Sequence, residues 1–545
     1  MSHPQPRVRP HPLALFSLIP LNKQTVEGVV DHPDNRHLVS FVPGAENTLN
    51  PGEVARGLNI GFQIGSKSSY TLATIGRTGD ITVEGSSISR IQCSFEIHKD
   101  TEEIFLYDRS SSWSTQTFGP NALPFQLERP NRRVVVAEQV NNQFGFGGVG
   151  CNLFQFEIYW HKRPSNFQEQ IANREDHPRF TRTVDDEIPT ALPSKRTTRI
   201  HTPVVHTPGV RGSAKTIRYY KKVELGKGSF GEVWKAVDVD SGEFFALKLV
   251  KWPERGLQSQ QYTMLKREVE TFARMSHPNI VEFISAQGFG GTHLEILTVL
   301  REGNIEDLIK KELFLRDPKL AESLLHQMLQ ALDYLAFKGI VHRDVKPANI
   351  LYQSLSGGGY IFQLTDFGLC NLIVDAQTLA GSPIYMAPEF FSGTQQTSKV
   401  DVWSLYVTLA YALNVNGFRK KRFDTHALRV RAVQEAANED GFRPIQDMAI
   451  VDPKVRASAA DMLDKLFNGE GRSTPRDQMQ SAPVVDKNAA APRKERNHRI
   501  NKKVAQKRRG QGFEGFVTTE KRGMPGAFQE DIVDALGVQD RPHFT

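Results

Sequence analysis

Apolar residues follow two different rhythms along the 545-residue chain. From Leu13 to about His161 they come in short runs: GLNIGFQI, LATIGR, DITV, CSFEIH, EIFLYD and NLFQFEIYW. Gly, Ser, Asp and Asn separate the runs, and several alternate with period two, as at Phe95 and Ile97, then Ile104 and Leu106. Period two puts alternate side chains on one face of a strand. Many short strands at this spacing predict an all-β sandwich or barrel over 13–161. The run LALFSLIPL from Leu13 has the look of a signal-peptide core. It ends at Pro20 without a small-residue cleavage site, so a buried strand is expected.

From Lys162 to about Lys215 periodic apolar residues thin out, and Pro, Thr, Arg and His take over. That composition predicts a flexible linker over 162–215. From Ile217 to about Phe467 the rhythm changes to strands followed by long helical patterns. In LAESLLHQMLQALDYLAFKG, Leu320, Leu324, Met328, Leu332 and Leu335 share one helical face, and Gly339 offers the stop. This marks a second, α+β unit over 217–468. Residues 469–545 turn polar again and are expected to be a flexible basic tail, with one short helix in QEDIVDALG.

Hydrophobic residues make up 39% of the chain and there are 42 glycines, an ordinary globular composition that excludes wholesale disorder, collagen and a coiled-coil rod. Cys93, Cys151 and Cys370 are too few and too scattered for a disulfide framework or a zinc cluster, which suits a reducing, intracellular compartment. No run approaches the ~18 apolar residues of a spanning helix, so no membrane partner is expected. The net charge is +7, but nine Lys or Arg against one Glu between Arg493 and Arg509 supply +8 of it. The remainder sums to −1, so no general nucleic-acid surface is implied. The basic tract fits a nuclear signal as well as a merely solvated run, leaving nucleus or cytoplasm as the expected location. It has no interleaved aromatics for stacking on bases.

The candidate chemistry lies in 217–468. LGKGSFGEV contains Gly226, Gly228 and Gly231 followed by Val233. Glycines let a backbone turn lie close over phosphates and offer N–H groups to them. A dinucleotide site shares the pattern but needs strand–loop–helix. Here EVWKAVD and FFALKLV follow, giving strand–loop–strand. Lys248 sits inside the apolar run FALKLV, where a charge is costly unless paired. Its expected partner is Glu268, in the helical stretch LKREVETFARM. In IVHRDVKPANILY, Asp344 is suited to orient a hydroxyl and accept its proton, Lys346 to neutralise phosphoryl charge, and Asn349 to ligate Mg2+. Asp366 in LTDFGL is a hard carboxylate suited to bridging Mg2+ and phosphates.

Together with Ala387, Pro388 and Glu389 of AGSPIYMAPE, these motifs in this order resemble a eukaryotic protein kinase catalytic domain. The resemblance implies a bilobal fold with ATP and Mg2+ between the lobes. It implies ATP contacts at Leu225, Gly226, Gly228, Gly231, Val233, Ala246, Lys248, Leu297 and Val299, with Leu297 as gatekeeper and Thr298 to Leu300 as hinge. Asp401 would lie on the buried central helix, and Arg456 would pair with Glu389. Lys346 two residues after Asp344 resembles the Ser/Thr class. Thr378 and Ser382 match activation-segment positions, Thr378 as a phosphorylation switch. Protein substrates are the implied partners, with a trans-autophosphorylating dimer as a further possibility.

The stretch ATIGRTGDITVEGSSISRIQCSFEI, followed by DRS at Asp108 to Ser110, resembles the forkhead-associated (FHA) domain. That family binds phosphothreonine-containing proteins, so the resemblance assigns the phosphate to Arg77, Ser89 and Arg90. The family's histidine is Gln92 here, and its NGT turn is Ser112-Trp113-Ser114. The expected whole is an FHA-like sandwich followed by a bilobal kinase, with linker and tail. A Ser/Thr kinase recruited through its β module is one reading. A weakly active scaffold in which the β module does the work is the other.

Overall fold

The computed structural model describes residues 7–66, 68–98, 100–126, 131–174, 216–228, 231–251, 259–289, 291–366, 383–392 and 396–478. The expected switch Thr378, Ser382, the basic tract and the QEDIVDALG helix lie outside the described residues, as does most of the expected linker.

The N-terminal runs become strands of two facing sheets. One holds β1 (Ala14–Pro20), β2 (Val39–Phe41), β3 (Arg56–Gly61), β8 (Thr115–Phe118), β10 (Gln143–Phe146) and β11 (Phe154–Trp160) in the order β2-β3-β1-β11-β10-β8. The other holds β4 (Thr71–Gly76), β5 (Ile81–Thr82), β6 (Cys93–Ile97), β7 (Ile104–Asp108) and β9 (Arg133–Val136) in the order β5-β4-β6-β7-β9. Phe95 joins the two inner faces, with ring centroids 5.0 Å from Phe16 and 5.4 Å from Phe144. Every residue of β1 is buried, as expected for LALFSLIPL.

The sandwich reaches past residue 161 into the expected linker. Helix α1 (Phe167–Ala172) folds back on it. Phe167 is buried 5.5 Å from the Phe62 ring, and Arg174 donates to the carbonyls of Ile64 and Thr71. Among the described residues the apolar anchors of this turn are Phe167 and Ile171, too few to leave a periodic signal.

The second unit begins with a five-stranded antiparallel sheet, order β12-β13-β14-β16-β15. The strands are β12 (Tyr219–Gly228), β13 (Gly231–Asp238), β14 (Phe244–Lys251), β15 (Phe283–Gln287) and β16 (His293–Val299). Helix α2 (Ser259–Ala273) packs on it through Leu265, Val269 and Phe272. A larger helical lobe follows, with a small sheet of β17 (Gly303–Asn304), β18 (Ile350–Ser354) and β19 (Tyr360–Leu364) at its edge. Its first long helix, α3 (Pro318–Phe337), buries Leu320, Leu324, Met328, Leu332 and Leu335 as the periodicity predicts. Gly339 follows at φ +72, the left-handed conformation that ends helices. Helix α4 (Lys399–Ala412) is buried almost all round, including Asp401. Helices α5 (His426–Ala437) and α6 (Ala459–Phe467) complete the lobe.

This unit runs past residue 468, because polar contacts tie the next residues down. Arg472 pairs with Asp464, and the buried Asp333 of α3 accepts from the Ser473 and Thr474 backbone and from the Thr474 hydroxyl. Leaving a buried carboxylate without its donors costs about 1–3 kcal/mol. Removal of the chain after residue 468 should therefore lower unfolding stability by about 2 kcal/mol relative to removal after 478. Equal denaturant midpoints for the two truncations would show that the strap contributes nothing.

Candidate active site

β12 and β13 form the hairpin that carries the glycines, with Gly228 opposite Gly231 at its end. Gly231 has φ +140, and a Cβ there would drive into the Leu249 carbonyl of β14. The hairpin therefore lies tight on β14 only because Gly231 has no side chain. A Cβ on Gly226, by contrast, would meet nothing within 4 Å.

Register decides which strand residues line the cleft. Lys248 is opposite Val233 on one side and Ile296 on the other, and Ala246 is opposite Thr298. Directly opposed residues point the same way, and so do residues two apart. Val233, Ala246, Lys248, Ile296 and Thr298 thus share one face. Leu297 pairs with Leu247 and is fully buried on the other face with Ala236, Phe245 and Leu249. This corrects the expectation for Leu297. Thr298, one residue on, occupies the cleft side. Val299 also pairs on the outer face, opposite Phe245, and its backbone N–H goes to the Glu282 carbonyl. Leu225 is half exposed at the mouth of the hairpin.

The catalytic-loop residues converge. Asp344 lies 2.8 Å from the Lys346 ammonium, and the Asn349 amide donates to both its backbone and side-chain oxygens. Asp401 accepts the backbone N–H groups of His342 and Arg343 at 2.8 and 2.7 Å. Burial raises the Asp401 carboxyl even so. His342 reaches the Thr365 carbonyl at 2.8 Å, which joins the loop to the residue before Asp366. Arg343 and Asp366 both adopt positive φ, 68 and 63, a strained conformation for these residue types. Glu389 and Arg456 form a buried two-point pair at 2.7 and 2.9 Å, as expected, and Arg456 also caps the carbonyls of Lys399, Ile450 and Val451. Removing one partner of such a pair typically costs about 3–5 kcal/mol.

The lysine partner differs from expectation. Lys248 binds Asp366, at 2.7 Å. Desolvation works against the Asp366 charge, but Lys248, helped by His342 and Lys346, outweighs it and holds the carboxyl below its usual range. Glu268 has a buried carboxylate oxygen with no hydrogen-bond partner. Its carboxyl is pushed up to about 7 by burial, against a pull from Arg343. The Lys248 ammonium is thus on Asp366, and the expected Lys248–Glu268 ion pair is not formed.

A second cluster sits at one end of the sandwich. Gly76 packs so closely on the Arg90 carbonyl that a Cβ would collide with it. Arg77 is exposed, its backbone N–H on Ser89 and its Nε on the Ile88 carbonyl. Ser89 and the exposed Arg90 share this lip. Buried Gln92 accepts from the Ser89 N–H and donates to the Ser114 and Thr115 hydroxyls, tying the loop to the Ser112–Ser114 turn. Arg132 pairs with Asp108 and stacks 4.3 Å over the Trp113 ring.

Residues 219–481 match the family model of the protein kinase domain. This stretch is similar to protein kinase domains. A serine/threonine-protein kinase of Dictyostelium discoideum, fhkD, is 30% identical over 260 residues, 45% of this chain and 33% of that protein. The cell cycle serine/threonine-protein kinase CDC5/MSD2 of Saccharomyces cerevisiae is 28% identical over 263 residues, 46% of this chain and 36% of that protein. The chain thus spans about a third of the length of these relatives. The crystal structure of Rad53 1–466 in complex with AMP-PNP aligns with a TM-score of 0.48 and 19% identity, covering 76% of this chain and 96% of that one.

In the kinase domain the unpaired Glu268 has a pH signature. With its carboxyl near 7, the folded chain holds a proton that an exposed glutamate would release near pH ~4.3. The unpaired arrangement is therefore favoured at low pH and loses that advantage as pH rises through about 7. Pairing with Lys248 needs the ionised form. The kcat/KM for ATP, which reports groups of the free enzyme, should rise with pH through a limb near 7. A profile flat from about pH 6 to 8 would show that Glu268 ionisation does not control the site.

Proposed function

We propose that the chain transfers the γ-phosphoryl group of ATP to serine or threonine of protein substrates. The observation that carries this is the convergence of Asp344, Lys346 and Asn349 within 2.8–2.9 Å, beside Lys248 and Asp366. The hairpin N–H groups and Lys248 take the phosphates. Asp344 orients the substrate hydroxyl and accepts its proton, and Lys346 offsets charge on the moving phosphoryl group. Asn349 commits its amide nitrogen to Asp344, so its oxygen is the end left for a cation. With Asp366 it makes a hard-oxygen pair that fits magnesium, which when bound neutralises phosphate charge. Asp366→Asn should reduce phosphate incorporation into protein by at least ~10³-fold with nucleotide binding retained. Undiminished incorporation would sink the assignment, and an unsubstituted chain without turnover would favour the scaffold reading.

The sandwich is read as an FHA-type module that binds phosphothreonine. Supporting this are the exposed Arg77 and Arg90, which flank Ser89 on a lip braced by Gln92. Gln92 bridges two loops, a task that does not require the family's histidine. Arg77 would meet the phosphate as a two-point fork. Fluorescence anisotropy of the full chain with a phosphothreonine peptide library should show binding that Arg77→Ala abolishes and that is absent with unphosphorylated peptides. No binding, or binding indifferent to Arg77, would mean the sandwich serves another partner.

A further inference from the structure

We infer that Glu103, a residue of the sandwich, is a positioning residue for the nucleotide-binding hairpin of the kinase domain. Glu103 lies just before β7 and is 4% exposed. One carboxylate oxygen accepts from the Tyr220 hydroxyl at 2.5 Å, and the other from the Lys222 ammonium. Both donors belong to β12. A carboxylate this buried is expensive unless paired and hydrogen-bonded, and these partners come from the other domain. Lys222 precedes Gly226 by four residues, on the strand that leads into the glycine-rich tip.

The surrounding contacts fix the same base of the hairpin from its second strand. Beyond the end of β13, the Val239 carbonyl accepts from the Val135 N–H of β9 at 2.8 Å, extending the edge of the sandwich sheet. Arg133 donates to the carbonyls of Asp240 and Ser241. Gly242, at φ +77, lies against the Phe105 ring, where a Cβ would collide. Tyr220, Val237 and Val239 are buried in the sandwich core cluster and not in the kinase core. The hairpin is thus anchored at the base of both strands by the sandwich, while a Cβ on Gly226 near its tip would meet no atom.

β12 is the edge strand of the five-stranded sheet and pairs with β13 alone, so the anchorage of its base bears on where the tip rests. Backbone N–H groups hold phosphates only when placed to within about 0.5 Å. Loosening the base should weaken nucleotide binding and leave Asp344, on the other lobe, where it is. The effect belongs in KM for ATP and not in kcat. Glu103 also lies at the Ile97–Ile104 end of the β6–β7 pair. The Arg77 lip lies at the opposite, Cys93–Asp108 end, so a peptide on the lip leaves the anchor in place.

The test is steady-state kinetics of the full chain, together with the Kd of a fluorescent ATP analogue and a thermal melt. Glu103→Gln should raise KM for ATP and the analogue Kd about three- to tenfold, with kcat within about twofold. Tyr220→Phe keeps the ring in the core, removes one donor, and should move KM the same way by less. It also supplies the readout if Glu103→Gln does not fold. The swapped pair Glu103→Lys with Lys222→Glu should bind nucleotide more tightly than either single substitution. An unchanged KM in a folded variant overturns the inference. So does a swapped pair no better than the singles, because that would make Glu103 a packing residue only. The inference rests on the kinase reading for its kinetics. A chain with no turnover would sink that reading, and the analogue Kd would still decide this one.

Discussion

The cleft depends on one buried carboxylate. Asp401 stands on the most deeply buried helix and turns both oxygens to the backbone N–H groups of His342 and Arg343. An isolated charge in that place would be costly, and the two N–H donors offset the cost. They also hold a strained segment, since Arg343 has φ +68. From this fixed point Asp344, Lys346 and Asn349 follow within six residues. His342 carries the constraint across to Thr365 and so to Asp366. The large lobe therefore presents its polar groups ready-made, and no hydrophobic contact could set them to the same tolerance.

The small lobe is positioned differently, by contacts that can be exchanged. Lys248 reaches from strand β14 to a carboxylate of the other lobe. In this arrangement it holds Asp366, and Glu268 is half-buried and inclined to keep its proton. The hairpin above is steadied from outside the kinase domain, by Glu103 and the β9 edge. In the proposed reading, turnover requires Lys248 to release Asp366 for the phosphate side of the cleft.

Much of this was legible in the sequence because it rests on spacing. The 3.6-residue rhythm of Leu320 to Leu335 located α3, and period two located β6 and β7. The order of the loop motifs placed Asp344, Asn349 and Asp366 together, and the Glu389–Arg456 pair formed as expected. Leu297 was misplaced because a one-residue slip in a strand exchanges its faces, and Leu294 to Leu300 is apolar enough to hide the slip. Opposition to Ala246 is what reveals Thr298. The domain limits at 161 and 468 were drawn short for another reason. Arg174 and the 472–474 strap are held by hydrogen bonds to carbonyls and to Asp333, which leave no hydrophobic pattern. Glu103 had no signal at all, since its partners lie 117 and 119 residues away.

The most direct measurement is the structure of the full chain with magnesium and a non-hydrolysable ATP analogue. The account predicts nucleotide phosphates beneath the β12–β13 hairpin, Lys248 on the phosphates and Glu268, and Asp366 released from Lys248. An empty cleft at saturating nucleotide, or Lys248 still bound to Asp366 with nucleotide in place, would contradict it.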